Sequence, residues 1–561
     1  MAAPLETSVV ILGGSIVGLA SALFLAAEKV PFILIERHPG SSPHPRAIGW
    51  THRSMELFRS VGLEKVITSQ AGEGAQGKPR RVKAATLNGE WFEESHWATA
   101  GAARGPPPTI DYSTITPVHA MALSQDKLEP ILRARVLELG GDLRLGYTMA
   151  DWSHSPSGVI IHATSQTNPP LTIHSQYLIA CDGARSRIRS DLAIPTTGVG
   201  YLRTLHSTLF RCPPIDHLLA RGIHQWSLSN PALGDAFLVT YSDTRWALMT
   251  NSTTPSSQPT DQDQPSDISQ QERSQKTRIL HALGPSDPPI PPSAITILTS
   301  GTWPLTASIA TSFSDPTNRI FLAGDAAHAL PPNRGGYGAN TGIADAHNLA
   351  WKLAAVLRGE ASAELLATYD AERRPVAGVR HDQIFEREDY RGYVEGREWE
   401  RVGGVGKGVV DDVAMEFGQV YRSRAVWGGG VGEEVVARTP AEWKGQPGTR
   451  APHVGFVKEE GGEMVSSLDL FGKGWVVLSE DGRWERRGCG FVQVGRDVFE
   501  VNEGEFRERF GVDESGAVLV RPDGYIAARW ETLPQDVGEV FARVLREVAH
   551  VPEVKQTKSQ D

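Results

Sequence analysis

Cysteine is nearly missing from this chain: the 561 residues include only Cys181, Cys212 and Cys489, and no two stand at C-x-x-C spacing. That scarcity speaks against a disulfide-stapled scaffold and a cysteine-built zinc site, and it suits a reducing compartment. An excess of positive charge is missing too. Lys and Arg number 56 against 66 Asp and Glu, a formal net charge of −10, so the basic face of a general nucleic-acid binder is not expected. Histidines at metal-ligand spacing are also lacking. After His328 the next is His347, so no metal is expected and His328 reads as a structural contact beside Asp325.

One long uncharged run exists, residues 9–27, and it is a poor membrane span. It contains Gly13, Gly14, Ser15, Gly18 and Ser21, and its pattern switches midway from strand-like to helix-like. No Lys or Arg precedes it, so a secretory signal would lack its basic start. A cytoplasmic protein without a membrane span is the expectation. No repeat of fixed period is present.

Against these absences the composition is that of an ordinary globular enzyme, 40% hydrophobic and 22% charged. The length implies roughly three to four structural units. Residues 8–12 form a short apolar run, residues 19–28 an Ala/Leu-rich helix, and residues 31–35 a second apolar run ending at Glu36. This is a βαβ unit of a parallel sheet.

Three motifs carry the chemistry. The first is Gly13-Gly14-Ser15-Ile16-Val17-Gly18, with Glu36 at 36 − 18 = 18 residues past the last glycine. Backbone N–H groups at a helix start suit a pyrophosphate, and a carboxylate ending the second strand suits ribose hydroxyls. Ser15 departs from the pattern, standing at its middle glycine. The second is Gly324-Asp325-Ala326-Ala327-His328, followed by Pro331-Pro332 and Gly335-Gly336-Tyr337-Gly338-Ala339-Asn340. Here a carboxylate at a strand end suits a polyol chain, and N–H groups near 338–340 suit the edge of an electron-rich ring. The third is Asp182-Gly183 with Arg185, Arg187 and Arg189, fit for a phosphate-rich ligand. Taken singly, each has a plainer reading: a glycine turn of another α/β protein, a helix cap at Asp325, a solvated basic turn.

Together, in this order and spacing, the motifs resemble the single-component FAD aromatic hydroxylases, the superfamily of p-hydroxybenzoate and phenol hydroxylases. The resemblance is stronger to the polyketide hydroxylases acting on tetracenomycin- and anthracycline-like rings. It is carried further by Pro45-Arg46-Ala47, by residues 53–57, 340–352 and 369–375, and in the last part of the chain by Arg450-Ala-Pro-His453, residues 468–472 and residues 519–525. It spans nearly the whole chain and is weakest at 79–110 and 251–292.

The resemblance implies an α/β protein with a Rossmann-like FAD-binding domain, a β-sheet substrate domain and a C-terminal thioredoxin-like domain without C-x-x-C. The FAD-binding domain would comprise residues 1–78, 119–195 and 311–400. The substrate domain would comprise 79–118 and 196–310, with a disordered loop at 251–292. A linker at 401–411, the thioredoxin-like domain at 412–553 and a tail at 554–561 would follow.

The same resemblance implies the cofactor-binding roles. Gly13, Ser15 and Gly18 would form the pyrophosphate turn and Glu36 would bind the adenosine ribose. Arg46 and Gln125 would hold the phosphates and linking chain. Gly324 and Asp325 would hold the ribityl chain; Gly338, Ala339 and Asn340 would meet the flavin ring edge, and Asp182 would border the nicotinamide path. Trp226 and Tyr241, on the expected substrate sheet, are candidates for lining the substrate cavity. The implied reaction is hydroxylation of a phenolic or polyketide-type aromatic substrate with NAD(P)H and O2, through a hydroperoxide at the flavin C4a carbon. No protein group is assigned as the catalytic residue, because the chemistry belongs mostly to the cofactor. Epoxidation, Baeyer–Villiger insertion, and a non-catalytic FAD-binding scaffold remain alternatives. A homodimer is compatible with the reading.

Overall fold

The computed structural model describes residues 3–44, 47–71, 80–96, 110–221, 223–241, 243–251, 268–332, 336–396, 398–404, 408–428, 437–459, 462–486 and 488–552. Its first layer is a seven-stranded sheet. β1 (Leu5–Leu12), α1 (Ile16–Ala27) and β2 (Phe32–Glu36) make the expected βαβ unit, and β1 and β2 are parallel. Val9 to Leu12 are buried, as a central parallel strand covered on both faces must be. The uncharged run is therefore a strand, a turn and a buried helix. Among the described residues, no helix is long and apolar enough to cross a membrane.

The sheet continues with β3 (Asp142–Leu145), β4 (Thr148–Ser155), β5 (Gly158–Thr164), β6 (Leu171–Ala180) and, later in the chain, the strand Ile320–Leu322. β6 pairs in parallel with β1 along its length. On its other side, its first half pairs antiparallel with β5 and its second half pairs in parallel with Ile320–Leu322. At the carboxyl edge the order is thus β3, β2, β1, β6 and Ile320–Leu322, with Leu12, Ala180 and Leu322 in register. The 21-residue helix Tyr337–Leu357 and the helix Gln125–Glu138 pack on α1. Ile343, Ala346, Ala350 and Leu353 form the buried stripe of the longer helix, which ends just before Gly359 at φ +72°.

The second layer is an eight-stranded sheet built around the long strands Thr196–Arg211 and Thr296–Ala310. Within residues 79–118, Arg80–Ala84 pairs with Trp91–His96, which forms the edge of this sheet. Only Val82 and Ala84 alternate as apolar residues in Arg80–Ala84, and pairing with Ile223–Asn230 supplies what the pattern lacks. One expectation needs correction. Residues 252–267 of the expected disordered loop lie outside the described residues. The rest is not disordered: Ile268–Leu283 is a helix. Its composition is polar, but Ile279, Ala282 and Leu283, at i, i+3 and i+4, are fully buried against the sheet.

This helix covers one face of the second sheet, over Phe210, Trp226, Leu228, Leu238, Trp246 and Leu248. Strand alternation sends Leu205, Ser207, Leu209, Phe237, Tyr241, Ala247 and Met249 to the opposite face. That face meets the first layer: Ile48 packs on Leu209 and Tyr241, and the Ser207 hydroxyl lies 2.8 Å from His44 Nε2.

The C-terminal unit holds a four-stranded sheet of Gly490–Gln493, Val476–Ser479, Ala517–Val520 and Ile526–Trp530, in that order, with the helix Val537–Val548 packed on it. The unit is locked to the first layer by charge. Glu372 accepts from Arg521 Nη1 at 2.6 Å, Lys352 Nζ at 2.7 Å and Ser423 Oγ at 2.6 Å. Arg450 Nε donates to Glu56 Oε2 at 2.9 Å, and both groups are buried.

Candidate functional site

Four turns leave the carboxyl edge of the first sheet side by side. From β2 comes Glu36, from β1 Gly13, from β6 Asp182, and from Ile320–Leu322 Gly324 with Asp325. In open α/β sheets such an edge, beyond the strand ends, is where extended ligands lie. The motifs are far apart in the chain, and parallel pairing makes them neighbours.

The glycine turn has no room for side chains. Gly13 has φ +99°, and a Cβ there would stand 2.3 Å from the Cys181 carbonyl oxygen. A Cβ on Gly18 would fall 1.8 Å from the Gly13 carbonyl oxygen, so α1 can approach the turn only with glycine at 18. Gly14 leaves space for Glu36, whose Oε2 accepts the Gly14 N–H at 2.6 Å while Oε1 accepts the His38 N–H at 2.8 Å. Ser15, the departure from the glycine pattern, is explained by its neighbours. Gln125 Nε2 donates to its hydroxyl at 2.9 Å, and the hydroxyl donates to Glu129 Oε1 at 3.1 Å. The Gln125 backbone N–H also donates to the Ala47 carbonyl at 2.9 Å. Arg46 lies outside the described residues.

Asp182 holds the backbone N–H of Arg187 at 2.9 Å with Oδ2, while its Oδ1 is buried without a partner among the described residues. An unpaired buried carboxylate oxygen calls for a donor. The three arginines, read from sequence as fit for a phosphate-rich ligand, are engaged differently. Arg187 donates to the Ala150 carbonyl and pairs with Asp191, and Arg189 donates to the carbonyls of Ala326 and Ala184. Arg185 is exposed.

Asp325 is exposed on a short turn that Gly324 opens at φ +60°. A buried ion cluster fixes that turn. Asp345 Oδ2 accepts the Gly324 N–H at 3.3 Å and lies 2.6 Å from His328 Nε2, while Arg373 Nε donates to Oδ1 at 2.8 Å. Burial would raise the Asp345 carboxyl, but His328 and Arg373 together outweigh it and hold it below the usual range. His328 is thus structural, as expected, though its partner is Asp345 rather than Asp325. Asp345 and Arg373 escaped assignment from sequence. Their signal is the wide spacing of an acid and a base on two helices, which has meaning only once the helices pack.

Gly338 and Ala339 stand in the first turn of Tyr337–Leu357, where N–H groups have no intrahelical acceptor. The Asn340 side chain is engaged by the protein itself. Its Oδ1 accepts from Thr51 N–H at 3.1 Å and Ser54 Oγ at 2.6 Å, and its Nδ2 donates to the carbonyls of Gly49 at 3.1 Å and Gly336 at 2.7 Å. A carboxamide has two donors and two lone pairs, so this side chain is saturated by protein and supports the helix start.

Of the two substrate candidates, Trp226 lies on the helix-covered face of the second sheet. It pairs with Leu238, is fully buried, and packs against Trp91 and Trp246 beneath the helix Ile268–Leu283. Tyr241 lies on the face turned toward the first layer, and burial raises its phenol pKa. Among the described residues no cluster of three metal-ligating side chains occurs.

The arrangement fits an extended dinucleotide: a side-chain-free turn, carboxylates at both ends, an unpaired buried oxygen between them and a helix start. Comparison with known proteins agrees. Residues 6–382 match the FAD binding domain family and residues 444–549 the aromatic-ring hydroxylase C-terminal family. A 4-methyl-5-nitrocatechol 5-monooxygenase from Burkholderia sp is 34% identical, over 97% of this chain and 98% of that one. The tetracenomycin A2 monooxygenase-dioxygenase of Streptomyces glaucescens is 33% identical, over 97% of each. The crystal structure of an aklavinone-11 hydroxylase with FAD and aklavinone superposes with a TM-score of 0.81 at 29% identity, covering 98% of this chain and 100% of that one.

Proposed function

Because the chain belongs to the FAD-dependent aromatic-ring hydroxylases, we propose that it hydroxylates a phenolic or polyketide-type aromatic substrate, with NAD(P)H and O2 as co-substrates. The observation that carries the reading is the row of Glu36, Gly13, Asp182 and Asp325 along one sheet edge, beside the face of the second sheet that bears Leu209, Tyr241 and Met249.

In this reading the amides of the Gly13–Gly18 turn hold the pyrophosphate and Glu36 the adenosine ribose. Gln125 and Arg46 hold the phosphates and linking chain, Asp325 the ribityl chain, and the first-turn amides at Gly338 and Ala339 the flavin ring edge. Asp182 offers its unpaired Oδ1 on the nicotinamide side. When bound, FAD supplies the redox chemistry, taking a hydride from NAD(P)H and activating O2 for transfer of one oxygen atom to a ring carbon.

The chain's own residues do the rest. Asp345, His328 and Arg373 keep the Gly324 turn in place, and Asn340 anchors the helix start. Leu205, Leu209, Tyr241 and Met249 supply an apolar wall that excludes water and orients a flat ring. The expected setting is the cytoplasm, the C-terminal unit is read as thioredoxin-like without disulfide exchange, and a homodimer is the oligomer to test for. The domain limits we propose are residues 1–78, 119–195 and 311–400 for FAD, and 79–118 and 196–310 for substrate.

The test is NAD(P)H oxidation by the FAD-loaded protein with a panel of phenolic polyketides, with product structures determined. Substrate-stimulated oxidation and a product with one added ring hydroxyl are expected. A protein that neither retains FAD nor responds to any aromatic compound would refute the proposal.

A further inference from the structure

Between two register shifts, the strand Thr196–Arg211 runs regularly from Arg203 to Leu209, so Arg203 shares its face with Leu205, Ser207 and Leu209. This is the face turned toward the first layer. The Arg203 guanidinium carbon lies 5.9 Å from the Phe237 ring centroid and 5.7 Å from that of Tyr393. Phe237 alternates with the buried Leu238 and so lies on the Tyr241 side. Tyr393 packs in a cluster with Leu205, Tyr337 and Phe385, next to the start of Tyr337–Leu357.

Aromatic faces attract a cation without neutralising it. Among the described residues Arg203 has no carboxylate within 4.0 Å and no hydrogen bond, and its Nε is buried without a partner. Asp235, the acid that acts on Tyr393 from the same side, is exposed and makes no ion pair with Arg203. Arg245 on the same sheet shows the contrast: it pairs with Asp126 at 2.9 Å and Asp243 at 2.8 Å. A buried, unpaired guanidinium nitrogen is costly unless a ligand supplies the acceptor.

Building on the hydroxylase reading, we propose that Arg203 docks an anionic oxygen group of the aromatic substrate, a carboxylate or an ionised acidic phenol. The planar guanidinium matches either oxyanion, and a carboxylate can take two of its N–H groups at once. The two flanking rings hold the guanidinium in place before substrate arrives, and the apolar wall beside it receives the uncharged part of the ring system. Substrate selection would then rest on charge at one end and shape at the other.

The experiment is a flavin difference-absorbance titration of FAD-loaded wild type, Arg203→Gln and Arg203→Lys. The probes are 1-hydroxy-2-naphthoate, its neutral carboxamide, and 4-nitrocatechol under mildly alkaline conditions where it is ionised. Wild type should bind the naphthoate about ten- to a hundredfold more tightly than the carboxamide, the range expected of a hydrogen bond to a charged group. Arg203→Gln should lose that preference and Arg203→Lys, which keeps the charge but not the fork, should retain part of it. Loss of nitrocatechol binding in Arg203→Gln, with naphthoate unchanged, would assign the phenolate as the docked group; the reverse would assign the carboxylate. Unchanged binding of both anions by Arg203→Gln would overturn the proposal, as would equal binding of acid and carboxamide by wild type when Arg203→Gln also leaves nitrocatechol binding unchanged. Failure of the hydroxylase reading would look different: anions would bind through Arg203 and never be oxygenated.

Discussion

The Asn340 side-chain oxygen accepts the Ser54 hydroxyl at 2.6 Å, tying the first turn of Tyr337–Leu357 to the helix His52–Ser60. The same carboxamide accepts from Thr51 and donates to the carbonyls of Gly49 and Gly336. One side chain thus sets the position of a helix start whose free amides are assigned to the flavin edge.

Asn340→Ala leaves several buried groups without partners, and each costs about 1–3 kcal/mol. Ser54→Ala removes one bond of four. The expected ranking is a large loss of thermal stability and FAD affinity for Asn340→Ala, and a loss of about 1 kcal/mol for Ser54→Ala. Thermal melts and FAD titrations of the two variants check it. A Ser54→Ala defect as large as that of Asn340→Ala would show that the carboxamide is not the organising group.

Asp325→Ala should weaken FAD binding more than Asp182→Ala. An acceptor bond from a charged carboxylate to the ribityl hydroxyls is worth about 1.5–3 kcal/mol, roughly tenfold or more in the FAD dissociation constant. Asp182 should act mainly on the rate of reduction by NAD(P)H. Equilibrium FAD titration and stopped-flow reduction separate the two roles. Equal FAD dissociation constants for the two variants would reject the division.

How much of this was legible beforehand depends on whether a feature is local. The Gly13–Gly18 turn and Glu36 are local: glycines at fixed spacing after a strand, and an acid at the end of the next strand. They were readable because each lies within one βαβ unit. The side-chain bonds of Asn340 are not legible in the sequence, since its partners Thr51 and Ser54 come from a distant part of the chain. The arginines near Asp182 suit a phosphate-rich ligand in the sequence, yet Arg187 and Arg189 turn to carbonyls that only tertiary packing supplies. The helix Ile268–Leu283 is hidden by its polar composition, with Ile279, Leu280, Ala282 and Leu283 at its end marking the packed side.

The buried cluster around Glu372 should respond unequally to its two cations. Arg521 makes two bonds to Glu372, at 2.6 and 2.9 Å, and Lys352 makes one. Burial lowers the Lys352 ammonium to about 8 despite Glu372, so this cation is held at a cost. Glu372→Gln leaves Arg521 and Lys352 short of a counter-charge and should cost about 3–5 kcal/mol. Lys352→Met should cost clearly less, because Arg521 still compensates the carboxylate. Chemical denaturation of the two variants, read by C-terminal tryptophan fluorescence, tests the asymmetry; a Lys352→Met loss equal to that of Glu372→Gln would contradict it.

Acid should undo the same interfaces. Burial works to raise the carboxyls of Glu56, Asp345 and Glu372, but their cationic partners outweigh it and hold each below its ordinary value. A carboxylate depressed in the folded state adds stability that is present above the ordinary carboxylate range and is lost as pH falls through and below it. Thermal stability should therefore decline as pH drops below about 4.5. Glu372→Gln should flatten that decline. A melt profile independent of pH in this window would show that these buried pairs are not linked to folding.

Trp226 and Tyr241 provide the last test, because they stand on opposite faces of one sheet. Trp226 pairs with Leu238, whereas Tyr241 is three residues beyond Leu238 and so points the other way. Trp226 fills the core beneath Ile268–Leu283, with Trp91 and Trp246 as ring neighbours. Trp226→Leu should therefore lower stability by about 2–4 kcal/mol, the usual range for a large-to-small core change, and leave KM for the aromatic substrate nearly unaltered. Tyr241→Leu changes the wall shared with Leu209 and Ala247, against which Ile48 packs. It should raise KM about threefold or more with a smaller change in kcat, as loss of binding common to ground and transition states does. Steady-state kinetics and denaturation of both variants give four numbers, and the expectation is that stability and KM sort onto different residues. A Trp226→Leu enzyme with normal stability and a raised KM would place the aromatic pocket on the helix-covered face, and the assignment of the cleft to the Tyr241 face would have to be abandoned.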